Sequence, residues 1–198
     1  MHNVVIVGGG PAGLSAALAA AASGAPVLLI DSNPRLGGQY WRQPDDSFGD
    51  QSDQHFDLET GLLLINAVKA RKEIEVWSGA QIWSATHKDG VNTLRVLLNG
   101  KEKIVNTGNL VLCTGAYDRT LPFPGWDIPG VMTPGGVQSL IKGHRVLAGK
   151  KVVVAGSGPF LLPVAAGVVK SGGQVVELLE ANKSRRWITS LFVILENL

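Results

Sequence analysis

The chain opens on a run of β-branched residues, Val4-Val5-Ile6-Val7, that breaks at Gly8-Gly9-Gly10-Pro11-Ala12-Gly13. An Ala-rich apolar segment follows over residues 14–22, then Gly24, then a second apolar run, Val27-Leu28-Leu29-Ile30, closed by Asp31. Short continuous apolar runs bounded by turn residues read as buried parallel strands. Alanine has the best intrinsic helix propensity, and nothing β-branched interrupts the segment between them. The pattern therefore predicts strand, glycine turn, helix and strand.

Further along, residues 43–53 are polar and predict a surface loop, and Phe56, Leu63, Ala67 and Ala70 mark a packing helix over 56–71. Residues 74–77 read as the next parallel strand. Segments 80–86, 94–98 and 103–106 follow, separated by Asp89-Gly90 and Asn99-Gly100, which are strong hairpin signals and predict a three-stranded meander. Residues 110–115 are expected to return as a strand buried on both faces, with Cys113 in the core. Pro and Gly crowd residues 121–136, marking a linker, and 137–144 predict a short helix. The opening pattern then recurs: an apolar strand over 150–155, Gly156-Ser157-Gly158-Pro159, an Ala/Val-rich helix over 161–170, and a strand over 175–179 ending on Glu180. The expected fold is α/β, a Rossmann-like βαβ sheet carrying a β-meander, followed by the start of a second Rossmann-like unit.

The spacing G-x-G-x-x-G at Gly8, Gly10 and Gly13 has a chemical reason at each position. The first glycine permits the tight turn out of the strand, the second lets backbone approach a pyrophosphate, and the third lets helix and sheet pack closely. The N–H groups and dipole at the helix start favour the phosphates. Asp31, about twenty residues on, is placed to accept hydrogen bonds from a ribose. The alternative is a glycine-rich turn with no ligand; the strand before, the helix after and the acid in place weigh against it.

Composition narrows the picture further. The 198 residues carry a formal charge of +2, with 45% hydrophobic and 17% charged residues, which suits a globular chain with no basic stripe for nucleic acid. Cys113 stands alone, so no internal disulfide framework forms and a reducing cytoplasm is the expected location. His2, His55, His87 and His144 are too scattered to suggest a metal site. Neither a signal peptide nor a membrane span is read from the hydropathy. No nucleophile with a partnered base and no acid-base pair stands out, so no catalytic residue is assigned.

In this order, the glycine turn, Asp31, Gly37-Gly38-Gln39, the meander, Thr114-Gly115 and the second turn at Gly156 to Gly158 resemble the two-dinucleotide-binding-domain flavoproteins. That superfamily includes the pyridine nucleotide-disulfide oxidoreductases and thioredoxin reductases. Within it, Gly37-Gly38-Gln39-Tyr40-Trp41-Arg42, Pro124-Gly125-Trp126 and the run from Pro129-Gly130 to Gly135-Gly136 are most similar to the FAD-containing subunits of opine oxidase, hydrogen cyanide synthase and amine-oxidising enzymes. Thioredoxin reductases carry a CxxC after such a linker; its absence disfavours disulfide reduction.

The resemblance implies an FAD-binding domain over 1–120, a linker and short helix over 121–149, and the beginning of an NAD(P)-binding domain over 150–198. It assigns Gly8, Gly10, Pro11, Ala12 and Gly13 to the FAD pyrophosphate, and Asp31 with Ser32 to the adenosine ribose. Gly38 and Gln39 would line the flavin side, Ile82 would offer backbone near adenine, and Thr114-Gly115 would close over the cofactor. The aromatics between Gln39 and Arg42 fit either the flavin site or packing.

Gly156, Gly158 and Glu180 would serve an NAD(P)H site. Two features complicate that second site. Leu161 stands where the third glycine would be, and Lys183, Arg185 and Arg186 suit a 2′-phosphate or a solvated basic turn, whereas Glu180 suits an NAD ribose. Family members continue well past this length, so the chain reads as truncated, with an apolar end over 187–195 that later elements would cover. The expected activity is FAD-dependent oxidation of a small molecule, in a homo-oligomer or a hetero-oligomer with another oxidoreductase subunit. An NAD(P)H-dependent flavin reductase and a non-catalytic electron-relay module are the alternatives.

Overall fold

The computed structural model describes residues 2–44 and 58–182. Residues 45–53 of the loop expected over 43–53, the first two positions of the helix predicted from Phe56, the basic residues Lys183, Arg185 and Arg186, and the apolar end lie outside the described residues. The chain forms two compact units, residues 1–117 and 118–198.

In the first unit, β1 (Val4–Val7), β2 (Val27–Ile30), β3 (Ile74–Trp77) and β7 (Asn109–Leu112) form one parallel sheet in the order β3-β2-β1-β7. Helices α1 (Pro11–Ala21) and α2 (Leu58–Lys69) make the crossovers between β1 and β2 and between β2 and β3. Side chains alternate across a strand, and that alternation sorts the core. Ile6, Val27 and Leu29 face the helices with Leu14, Ala17, Ile65 and Val68. Val5, Leu28 and Ile30 face the other way, onto Leu94, Val96 and Val105 of the meander. Each fully buried aliphatic side chain contributes up to about 1.5–3 kcal/mol of transfer free energy.

The meander comprises β4 (Gln81–Lys88), β5 (Val91–Leu98) and β6 (Lys101–Thr107), all antiparallel. Its hairpins turn at Asp89-Gly90 and Asn99-Gly100, where all four residues have positive φ. That is the twist-matched geometry their sequence favours. The meander fills the connection between β3 and β7, where a crossover helix would otherwise cover the sheet.

Strand β7 corrects one expectation. Among the described residues it is an edge strand, and Val111 and Leu112 are exposed while Leu110 is half-buried against the meander core. A run of apolar residues at a sheet edge lacks the second neighbour that buries a central strand. Cys113, just beyond it, is half-buried and packs against the helix-side core.

The second unit holds α3 (Pro134–His144), β8 (Lys151–Gly156), α4 (Leu161–Lys170) and β9 (Gln174–Glu180), with β8 and β9 parallel. Helix α3 starts three residues before the expected position. Thr133 accepts from the Gly136 N–H as N-cap, and Pro134 occupies the first helical position, where its missing N–H costs nothing. Among the described residues no helix is long and apolar enough to cross a membrane.

Packing and charge in the first unit each lead to a test. Gly61 of α2 lies directly against the buried indole of Trp41, and a Cβ there would overlap the ring. Glycine-to-alanine exchange inside a helix ordinarily gains about 1 kcal/mol, but overpacking a core costs about 1–3 kcal/mol. Gly61→Ala is expected to be net destabilising in a denaturant titration. Glu75 accepts from Trp77 Nε1 at 2.8 Å and from His2 at 2.8 Å, and the Trp77 hydrogen bond is the main cause holding its carboxyl below the ordinary value. A lowered folded-state pKa stabilises above the unfolded value and is lost as pH falls through the folded one. Glu75→Gln should flatten the acid limb of a melting-temperature profile slightly, because the pair is largely solvated.

Candidate functional site

At the end of β1 the Gly8 N–H donates to the Ile30 carbonyl at 2.7 Å. Gly8 has φ +104°, and a Cβ there would overlap the Cys113 carbonyl. Gly13, buried in the first turn of α1, lies against the Gly8 carbonyl oxygen with no room for a Cβ. The fold itself therefore demands both glycines. Gly10 differs. It is the N-cap of α1 with φ −78° and ψ −174°, and a Cβ would meet only the Gly38 Cα at 3.8 Å. Neither backbone conformation nor neighbouring atoms require glycine there. Pro11 begins the helix, Ala12 is exposed beside it, and among the described residues no side chain caps the first turn, whose N–H groups have no acceptor within the helix.

Asp31 ends β2 on the same side of the sheet and is 5% exposed. Its Oδ2 accepts the Gly9 N–H, and its Oδ1 accepts the Asn33 N–H at 2.6 Å and Asn33 Nδ2 at 3.0 Å. The backbone here is fixed as well. Asp31 N–H donates to the Trp77 carbonyl, the Ala80 N–H to the Asp31 carbonyl, and the Gly79 N–H to the Asn33 carbonyl, each at 2.9 Å. Ser32 is exposed between them. Ile82 lies two residues past Ala80 in β4, half-buried against the meander core.

The Gly37-Gly38 loop docks on the turn. Gly37 N–H donates to the Gly9 carbonyl at 2.8 Å, and a Cβ on Gly38, which has φ +63°, would stand 2.9 Å from the Gly10 Cα. Gln39 is exposed next to it. Of the aromatics that follow, Trp41 is a packing residue in the helix-side core, whereas Tyr40 is exposed and meets Trp41 edge-on at 5.7 Å. Thr114 and Gly115 extend from β7 in exposed backbone, with the Thr114 N 3.2 Å from where a Gly8 Cβ would lie.

The structure thus gathers Gly8, Gly10, Gly13, Asp31, Gly38 and Thr114 about one turn. Ile82 stands farther along, on the meander. Sequence reasoning assigned no role to Gly9 or Asn33. A Cβ on Gly9 would strike Leu36 and stand 2.8 Å from Asp31 Oδ2. The signal for Asn33 was present in the repetition of acid-x-Asn, Asp31-Ser32-Asn33 and Glu180-Ala181-Asn182.

In the second unit, Gly158 N–H donates to Glu180 Oε2 at 3.0 Å, while Asn182 N–H and Nδ2 reach Oε1 at 2.8 and 3.0 Å. The phosphate end departs from the first unit. Helix α4 starts five residues after Gly156, where α1 starts three after Gly8, and the buried Leu161 side chain lies 3.2 Å from where a Gly156 Cβ would be. The close glycine contact of the first turn has no counterpart there.

Gly13→Ala should move α1 away from β1, because the obstructing atom is backbone. A loss of about 3 kcal/mol or more in the unfolding free energy of the first unit is the expected result.

The chain is 34% identical over 189 residues to an opine oxidase subunit of Agrobacterium tumefaciens, covering 92% of this chain and 37% of that protein. It is 37% identical over 183 residues to hydrogen cyanide synthase subunit HcnB of Pseudomonas protegens, covering 90% and 38%. The L-proline dehydrogenase structure from P. horikoshii shares the fold, with a TM-score of 0.72 and 24% identity over 90% of this chain and 35% of that one. The chain spans well under half the length of these relatives. The family model for pyridine nucleotide-disulphide oxidoreductases matches residues 2–186, and the chain belongs to that family.

Proposed function

We propose that this chain is the flavin-binding part of an FAD-dependent oxidoreductase, and within that class of the FAD subunit of a heteromeric opine or amine dehydrogenase or oxidase. The observation that carries the reading is Gly10. It is a glycine that the fold does not need, placed at a helix N-terminus that no side chain caps among the described residues. A group approaching the backbone from outside explains it, and a pyrophosphate suits that dipole. The relatives named as opine oxidase and hydrogen cyanide synthase subunits support the narrower assignment, including a small-molecule substrate and a partner oxidoreductase chain. A cytoplasmic location accords with the single cysteine.

Bound FAD would supply the hydride and electron chemistry, while the protein supplies binding, orientation and electrostatics. Gly8, Gly10, Pro11, Ala12 and Gly13 would hold the pyrophosphate, and Asp31 with Ser32 the adenosine ribose. Gly38 and Gln39 would border the flavin side, Ile82 would lie toward adenine, and Thr114-Gly115 would close the far wall. Residues 1–120 would then be the FAD-binding domain and 150–198 the start of a nucleotide-binding domain.

The held carboxylate of Glu180 favours a second reading, an NAD(P)H-dependent flavoprotein reductase using Gly156, Gly158 and Glu180. On that reading NADH added to the flavin-loaded chain bleaches the visible flavin spectrum; on the first reading the spectrum stays oxidised.

Gly10→Ala separates ligand binding from folding. We expect a stability change of no more than about 1 kcal/mol and an FAD affinity at least about tenfold weaker, measured by melting and by flavin fluorescence. Wild-type-like affinity in this variant would remove the support that Gly10 gives to the reading.

A further inference from the structure

We infer that Asn33 is a positioning residue for nucleotide recognition: it presets the Asp31 carboxylate so that Oδ2, which takes the Gly9 N–H, is also turned to meet a ribose hydroxyl. This rests on the reading of Asp31 as the ribose acceptor. A carboxylate offers about four acceptor positions and turns readily about its last bond. In the first unit Asn33 fills Oδ1 with two donors, its own backbone N–H and its side-chain Nδ2. Oδ2 takes the Gly9 N–H. Among the described residues one acceptor direction on Oδ2 is left, and Gly9 places that oxygen beside the phosphate-binding turn. Without the Nδ2 donor, Oδ1 keeps a single contact and the carboxylate can rotate away.

The second unit repeats the arrangement independently. Its acid is one methylene longer, its helix starts later and its third glycine is a leucine, so the surrounding backbone differs. Three contacts nevertheless recur: a turn glycine twenty-two positions upstream on one oxygen, and both nitrogens of an Asn two positions downstream on the other. Holding a first contact in its productive orientation lowers the ordering cost of binding.

The test is a fluorescence titration of the chain with FAD, alongside thermal melts, for wild type, Asp31→Asn, Asn33→Ala, Asn33→Asp and Asn33→Ser. Aspartate keeps the shape of Asn33 and its capacity for a local turn but replaces the donor with a charge facing Oδ1, whereas serine keeps a short donor. FAD affinity is expected to fall about tenfold in Asn33→Ala and further in Asn33→Asp, with Asn33→Ser close to wild type. In an Asp31→Asn background the Asn33→Ala change should have no added effect, as coupled residues require. If Asn33→Ala does not fold, the contrast between the aspartate and serine variants decides. Wild-type affinity in the Asn33→Asp variant, with Asp31→Asn impaired, overturns the positioning role and leaves the site reading intact. An Asp31→Asn variant that binds like wild type, or a wild-type chain that takes up no FAD, overturns the site reading and this inference with it.

Discussion

The contact on which the first unit depends is the approach of Gly13 to the carbonyl oxygen of Gly8, with no side chain between helix and strand. It seats α1 close on β1 and fixes where the helix begins, and therefore where its free N–H groups emerge. Gly8 is crowded from the opposite side by the Cys113 carbonyl, so the end of β7 is set by the same residue. Asp31 joins the assembly through the Gly9 N–H. The C-terminal ends of β1, β2 and β7 are thereby brought to one turn, which is where ligands of open parallel sheets bind.

The two βαβ units divide this device into parts that vary separately. The carboxylate with its glycine and asparagine donors is present in both. The close glycine contact is present only in the first, since Leu161 fills the corresponding place in the second and α4 begins farther from its strand. On the proposed reading, recognition of a ribose and accommodation of a pyrophosphate would thus fall to different residues. Retaining one does not entail retaining the other.

Local patterns made much of this legible from sequence alone. The strand-turn-helix-strand order, both hairpin turns and the bounds of α4 follow from apolar runs, glycine placement and the Asn-Gly and Asp-Gly signals, each of which acts through its own backbone. What escaped depends on neighbours distant in the chain. The apolar composition of β7 suggested burial, but among the described residues it pairs with β1 and stands at the edge of the sheet. The indole of Trp41 became core because α2 offers a glycine opposite it. In the site, three glycines of the turn were legible by spacing, whereas the reason for Gly9 lies in Asp31 and Leu36, which no local pattern brings together. Asn33 was legible only by setting the two halves of the chain side by side.

The meander in place of a crossover helix has a consequence for the order of folding. Its strands are neighbours in sequence joined by two-residue turns, so they pair at the speed of hairpins. On the β7 side of the sheet Val4 pairs with Asn109, and that pairing closes a long loop before any contact rewards it. Cys113 and Thr114 reach Gly8 only when that loop has closed. The turn at Gly8 is therefore expected to be completed late, with one wall supplied by β1 and β2 and the other delivered when β7 docks.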